Sequence, residues 1–310
     1  MTAKTWSITA DDYACTVSAR GATIEALTHR GRDLILPNRA GAGDASMAGA
    51  LLAPWPNRLA DGRYVFDGAV HQLPINEQAT GTAVHGLATT IEFEGRMPES
   101  GRLALTGWIE PRPGYPWRIR LDVEVAVGVA GFCQRITARN ESSTRAPFGM
   151  GAHPYLLAAP PRRNAVDEWS VEVSAGQVLL VSQARLLPTD LVPLGAPHAP
   201  PILPGAPTPL ASMRLNHAFT ALSPDRPVRL LGSAHGGVTV RMDVDAPWLQ
   251  LYTGDDLGDG AARSAVAVEP MTCPPDAFNS GVDLRILEPG ESTQLTWSLS
   301  CEQGGAGRDA

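Results

Sequence analysis

From Arg118 to Val127 the side chains alternate with a period of two. Ile119, Leu121, Val123, Val125 and Val127 are apolar, and Arg120, Asp122 and Glu124 between them are charged. Successive residues of a strand point to opposite faces, so this stretch describes a strand with one face in a core and the other in water. The same alternation recurs at Val238, Val240, Met242 and Val244, and at Thr293, Leu295, Trp297 and Leu299. Shorter strand candidates are Thr5 to Thr9, Tyr13 to Ala19, Arg63 to Asp67, Thr89 to Gly95, Arg102 to Ile109, Phe132 to Arg139, Trp169 to Val173 and Trp248 to Tyr252. Between them lie turn formers, with 31 Gly and 27 Pro in the chain, a density that interrupts helices. Many strands without regular helical crossovers predict an all-β, antiparallel sandwich with few short helices.

The 310 residues are read as one domain over residues 1–302, with 303–310 (Gln-Gly-Gly-Ala-Gly-Arg-Asp-Ala) expected to be a disordered tail. The Pro- and Gly-rich stretch from Pro193 to Pro209 is expected to be an extended surface loop and not a domain linker, because candidate site residues lie on both sides of it. A net charge of −7 and the lack of clustered Lys and Arg argue against nucleic acid as ligand. No apolar run is long enough for a membrane span or a signal peptide, so the sequence implies a cytoplasmic protein that touches no membrane. Cys15, Cys133, Cys273 and Cys301 form no C-x-x-C pair and read as small buried hydrophobes; Cys273, four residues from Glu269, is the one candidate reactive thiol.

Titratable residues interrupt apolar sequence in three places. His85 lies in Ala83-Val84-His85-Gly86-Leu87, His153 in Gly151-Ala152-His153-Pro154-Tyr155, and Glu269 ends the run Ala265-Val266-Ala267-Val268. A carboxyl at the end of a buried strand is costly to ionise, and such environments tune carboxylates for acid/base work. Taken singly, each of the three is also what a structural Glu or a satisfied core histidine looks like.

Together with other strings they carry more. Asn57-Arg58-Leu59-Ala60-Asp61-Gly62-Arg63-Tyr64, then His85-Gly86, then Gly151-Ala152-His153-Pro154-Tyr155-Leu156, then Trp248-Leu249-Gln250-Leu251-Tyr252-Thr253-Gly254, then Glu269-Pro270-Met271-Thr272 resemble the aldose 1-epimerases, or galactose mutarotases, in order and approximate spacing. The resemblance spans nearly the whole chain. It implies a large antiparallel β-sandwich of the galactose mutarotase-like kind with an open sugar cleft. It further implies that Glu269 is the general base and His153 the general acid, with Asn57, Arg58, His85, Tyr155, Asn216 and Gln250 binding the sugar. One departure stands out: where the family usually has Asp-x-x-Phe, this chain has Asn216-His217-Ala218-Phe219. An amide carries no charge, which bears on hydroxyl selectivity.

Opening a pyranose ring requires the C1 hydroxyl to lose a proton while the ring oxygen gains one, so a base and an acid are needed at opposite ends of the hemiacetal. A carboxylate and an imidazolium fit that need, and no metal or redox cofactor is required. The expected partner is a small aldose and the expected state a monomer or homodimer. Alternatives are an epimerase for a hexose 6-phosphate or a rarer sugar, for which Arg112, Arg118 and Arg263 are available cations, a non-catalytic sugar-binding or sensing protein, and a zinc hydrolase using His85, His153 and Glu269. A glycosidase usually needs two catalytic carboxylates, and the motifs supply only Glu269. Trp55, Trp248 and Phe278 are candidates for a flat sugar-stacking face, with core packing the preferred reading.

Overall fold

The computed structural model describes residues 4–38, 47–232, 236–258 and 260–302; the expected tail at 303–310 lies outside them. Two large antiparallel sheets dominate. The first, of nine strands, runs from edge to edge through Glu94–Arg96, Arg102–Ile109, Ile119–Gly128, Gly131–Asn140, Ser292–Glu302, Gly236–Met242, Val228–Gly232, Ser170–Glu172 and Thr208–Pro209. The alternating stretch sits near its middle, with Ile119, Leu121, Val123 and Val125 buried and the charged residues between them turned outward. Trp297, on the C-terminal strand two places away, is fully buried, packs on Phe132 at 5.0 Å between ring centroids, and donates from Nε1 to Gln134 Oε1 at 2.7 Å. Trp297→Ala should therefore cost about 3–5 kcal/mol of stability, from the cavity and from the stranded Gln134 carbonyl, read as a lowered denaturant midpoint.

The second sheet, of eight strands, runs Pro188–Pro193, Gln177–Val181, Asn216–Thr220, Trp248–Tyr252, Val266–Met271, Gly151–His153 and Ala50–Leu52, with Tyr155–Leu156 also paired to Val266–Met271. A four-stranded N-terminal sheet from Thr5 to Asp33 packs beside the first sheet. One cluster of buried apolar side chains extends from Trp6 to Leu299 between these layers. The architecture is the expected β-sandwich. Among the described residues helix is limited to the single turn Ala277–Ser280 and two 3-10 turns, Ala88–Thr90 and Ala165–Glu168.

Three local expectations differ from the structure. Thr89 to Gly95 is not one strand: a 3-10 turn occupies Ala88–Thr90 and ladder pairing begins only at Glu94. The alternation that suggested it is real, since Ile91 and Phe93 are buried between exposed neighbours, but the extended chain there makes only a bridge from Glu92 to Arg20. The strand through Val240 stops at Met242, and Val244 is 82% exposed, because the Asp243 carboxylate accepts from the Asp245 N–H and turns the chain. Residues 193–209 are not extended: they follow strand Pro188–Pro193 through successive turns, bury Ile202, and return a short strand, Thr208–Pro209, to the first sheet.

Candidate active site

Antiparallel register converts scattered sequence positions into rows. Gly151 lies opposite Met271 and Tyr155 opposite Ala267, which puts His153 across from Glu269. Gln250 is the partner of Glu269 on its other side. Two residues along, and so on the same face, Asn216 pairs with Tyr252 and Tyr252 with Ala267. His153, Glu269, Tyr155, Tyr252 and Asn216 from these rows line a cleft of about 600 Å³. The opposite wall comes from two chain segments that pair at Arg58 and Val84. Asn57 and His85 sit just outside that pairing, both with left-handed backbone (φ 55° and 63°).

The two left-handed residues hold each other. The His85 N–H donates to the Asn57 carbonyl at 3.0 Å, and the Asn57 N–H donates to His85 Nδ1 at 3.3 Å. A ring nitrogen that accepts carries no proton, so neutral His85 bears its proton on Nε2. Gly86 follows at φ 74°, where a Cβ would lie 2.1 Å from the Ala53 carbonyl oxygen; only glycine lets the chain pass so close.

His153 Nε2 is 3.3 Å from Glu269 Oε1. Both side chains are buried, and Glu269 Oε2 and His153 Nδ1 have no hydrogen-bond partner. Burial pushes the Glu269 carboxyl up to about 8, opposed by the positive charge of Arg58. Burial pushes His153 down to about 4, opposed by the nearness of its own backbone and reinforced by Arg58. Burial and the charges of His153 and Arg58 likewise hold His85 well below the ordinary histidine range. Together these shifts assign the pair one proton at neutral pH, on the carboxyl. This is the reverse of the carboxylate and imidazolium expected from sequence, because neither charge is solvated there.

Arg58 is held by a residue that sequence reasoning missed. Its Nε and Nη2 donate to the two carboxylate oxygens of Glu77 at 2.7 and 2.8 Å, and the Thr80 and Thr82 hydroxyls also donate to Glu77 Oε2. In the polar string Ile75-Asn76-Glu77-Gln78 nothing distinguishes Glu77 from a solvated surface acid. Glu77→Gln removes the charged half of a fork that fixes the guanidinium. We expect it to raise KM for the sugar about tenfold with a smaller change in kcat, measured by steady-state anomer exchange.

The other expected residues are placed as follows. Tyr155 and Asn216 line the cleft, while Gln250 lies beneath it, donating from Nε2 to Asn216 Oδ1 at 2.7 Å. Tyr252, Asn76, Thr80, Asp256 and Leu257 also line it; of these only Tyr252 fell within a recognised string. Trp55, Trp248 and Phe278 are buried in packing and do not line the cleft, in keeping with the core reading. Cys273 is fully buried, and burial pushes its thiol up to about 12, so it is not a reactive thiol. Arg118 pairs with Glu110 and Glu141, and Arg263 with Asp167 and Asp255, and neither lines the cleft; nor does Arg112. His85, His153 and Glu269 bring donor atoms within 4.8 Å of one another and are the described residues that could hold a metal ion, although Nδ1 of His85 is taken by the Asn57 N–H.

The family model described as aldose 1-epimerase matches residues 4–300. The chain belongs to that family. The uncharacterized protein YihR of Escherichia coli K12 is 32% identical over 301 residues, covering 96% of this chain and 92% of that protein. YphB of the same organism is 26% identical over 293 residues, covering 92% and 94%. The fold is similar to that of a galactose mutarotase/aldose epimerase homologue from C. elegans, with a TM-score of 0.80 at 18% identity and coverage of 97% and 100%. It is also similar to a galactose 1-epimerase from Lactobacillus acidophilus, with a TM-score of 0.77 at 17% identity and coverage of 98% and 100%. Among the described residues of this aldose 1-epimerase family member, no helix is long and apolar enough to cross a membrane.

Proposed function

We propose that the protein interconverts the α and β anomers of a free aldose by opening and closing the pyranose ring. The observation that carries this reading is the buried His153 and Glu269 pair, 3.3 Å apart in an open cleft, with one polar atom of each left without a partner. A sugar hydroxyl donating to the Glu269 carboxylate stabilises that charged form and moves the shared proton to His153, which is the form the reaction needs. Glu269 then takes the proton of the C1 hydroxyl as the C1–O5 bond breaks, and His153 gives its proton to O5. The product is the open-chain aldehyde. After rotation about C1–C2, the same two transfers run backwards and close the ring on the other face.

Asn57, Arg58, His85 and Asn216 orient the sugar around this pair. The reading treats residues 1–302 as one domain, since the cleft draws on segments from Asn57 to Glu269. Among the described residues that line the cleft, Arg58 is the only Arg or Lys, which supports a neutral sugar over a hexose 6-phosphate. A pure binding protein would have no need of a matched acid and base.

Polarimetry of freshly dissolved α-D-glucose and α-D-galactose with EDTA-treated protein tests the proposal. Faster relaxation to the unchanged final rotation is the expected result. Acceleration that needs added zinc would favour the metal reading, and no acceleration with either sugar would remove the proposal for common aldoses.

A further inference from the structure

We propose that Asn216 makes the cleft a hydrogen-bond donor at its position, so that the protein selects sugars whose oxygen there accepts a hydrogen bond. This rests on the anomer-interconversion reading and adds a residue that sets substrate choice within it. The argument starts from two stacked amides. Asn216 is half-buried and lines the cleft; Gln250 lies beneath it at 2% exposure, one strand over and two residues along. Gln250 Nε2 donates to Asn216 Oδ1 at 2.7 Å, and Gln250 Oε1 is buried without a partner.

The opposite arrangement, with Asn216 donating to Gln250, would put an NH2 with two protons where one carbonyl now lies unpaired. Burying two unmet donors costs more than burying one unmet acceptor, so the observed orientation is the favoured one. The backbone below is fixed as well, since the Asn216 N–H donates to His217 Nδ1 at 3.2 Å and the residue is paired in register with Tyr252. With Oδ1 turned toward Gln250, the unengaged end of the Asn216 amide is Nδ2, whose protons it offers the cleft.

The neighbouring amides show the same polarity or none. Asn76 spends both ends on the Val84 backbone, accepting at Oδ1 and donating from Nδ2. The Asn57 Oδ1 accepts from the Arg58 N–H, which leaves its Nδ2 as donor. Amide acceptors are thus engaged and amide donors are presented. A sugar hydroxyl facing Asn216 is therefore recognised by its lone pairs and not by its proton.

Fluorine and hydrogen in place of a hydroxyl separate the two cases. A C–F group can accept weakly but cannot donate; a deoxy position does neither. The experiment is NMR-detected anomer exchange with D-galactose and D-glucose and with their 3-, 4- and 6-deoxy and deoxyfluoro analogues, using wild type and Asn216→Asp. The aspartate keeps an oxygen for Gln250 Nε2 and turns the cleft-facing atom into a charged acceptor, which repels fluorine. Comparing the two proteins cancels the intrinsic effect of fluorine on ring opening.

At one ring position the fluoro analogue should exceed the deoxy analogue in wild type by about threefold or more in kcat/KM, the scale of one hydrogen bond. In Asn216→Asp the order should reverse. The same fluoro-to-deoxy ratio in both proteins at all three positions would overturn the role of Asn216 while leaving anomer interconversion standing. No acceleration of either parent sugar by wild type would overturn both.

Discussion

Glu269→Gln lowers kcat by about 10²–10⁴-fold while changing the apparent affinity for sugar only a few-fold, the expected result if the carboxyl carries the C1 hydroxyl proton. Glutamine fills the same volume and keeps an oxygen toward the cleft, but it can neither take nor return a proton. Polarimetry for the rate and sugar titration for the affinity check the two halves, and retained turnover in the variant would remove the mechanism. The same substitution should raise stability at alkaline pH. A carboxyl whose folded-state pKa is raised from 4.5 to about 8 contributes its full stability only below pH 4.5, and that contribution is lost as pH rises through 8. The glutamine variant avoids that loss, so its melting temperature should exceed that of the wild type at pH 8 and match it near pH 4. A site that holds a carboxyl in this state trades stability for reactivity.

The pH profile is the second large effect. Between about 4 and about 8 the His153 and Glu269 pair should hold one proton, which under the proposed mechanism supplies one acid and one base. Below that window both groups are protonated and no base remains; above it neither is and no acid remains. The rate given by kcat/KM should form a plateau between limbs near those values, falling about tenfold per pH unit outside it. The limbs belong to the pair and not to one residue each. A profile with a single limb at the ordinary histidine value of about 6.5 would mean that the two groups act separately. Stability follows a related pattern on the acid side: His153, with its pKa lowered to about 4, loses its contribution as pH falls from 6.5 through 4.

The long central strands of the first sheet were legible in the sequence because each has one wet face. Ile119–Gly128 and Ser292–Glu302 alternate in burial as they alternate in polarity. The strands that carry the site were harder to see. Val266–Met271 is buried at every position, and so is Ala50–Leu52, because core lies on one side and cleft or neighbouring segments on the other. A strand covered on both faces has no period of two to detect. Asn216–Thr220 begins with two polar side chains, Asn216 lining the cleft, and offers no alternation to mark a strand.

Glu269, His153, Asn57, Arg58 and His85 were legible only through the family strings, since each by itself resembles an ordinary structural residue. Their convergence depends on register, which a local pattern does not contain. Glu77 had no string to mark it, because its significance lies in a partner nineteen positions away. The protonation of the pair was read in reverse because the extent of burial at Glu269 and His153 is a property of the assembled sheets.

The row from His153 through Glu269 to Gln250 places the proposed acid and base on neighbouring strands of one sheet, where strand spacing is fixed at about 4.8 Å by main-chain hydrogen bonds. No hinge lies between acid and base. Their separation is as durable as the sheet itself, so under the proposed mechanism the pair is poised before any sugar arrives and needs no movement of one strand against another to meet.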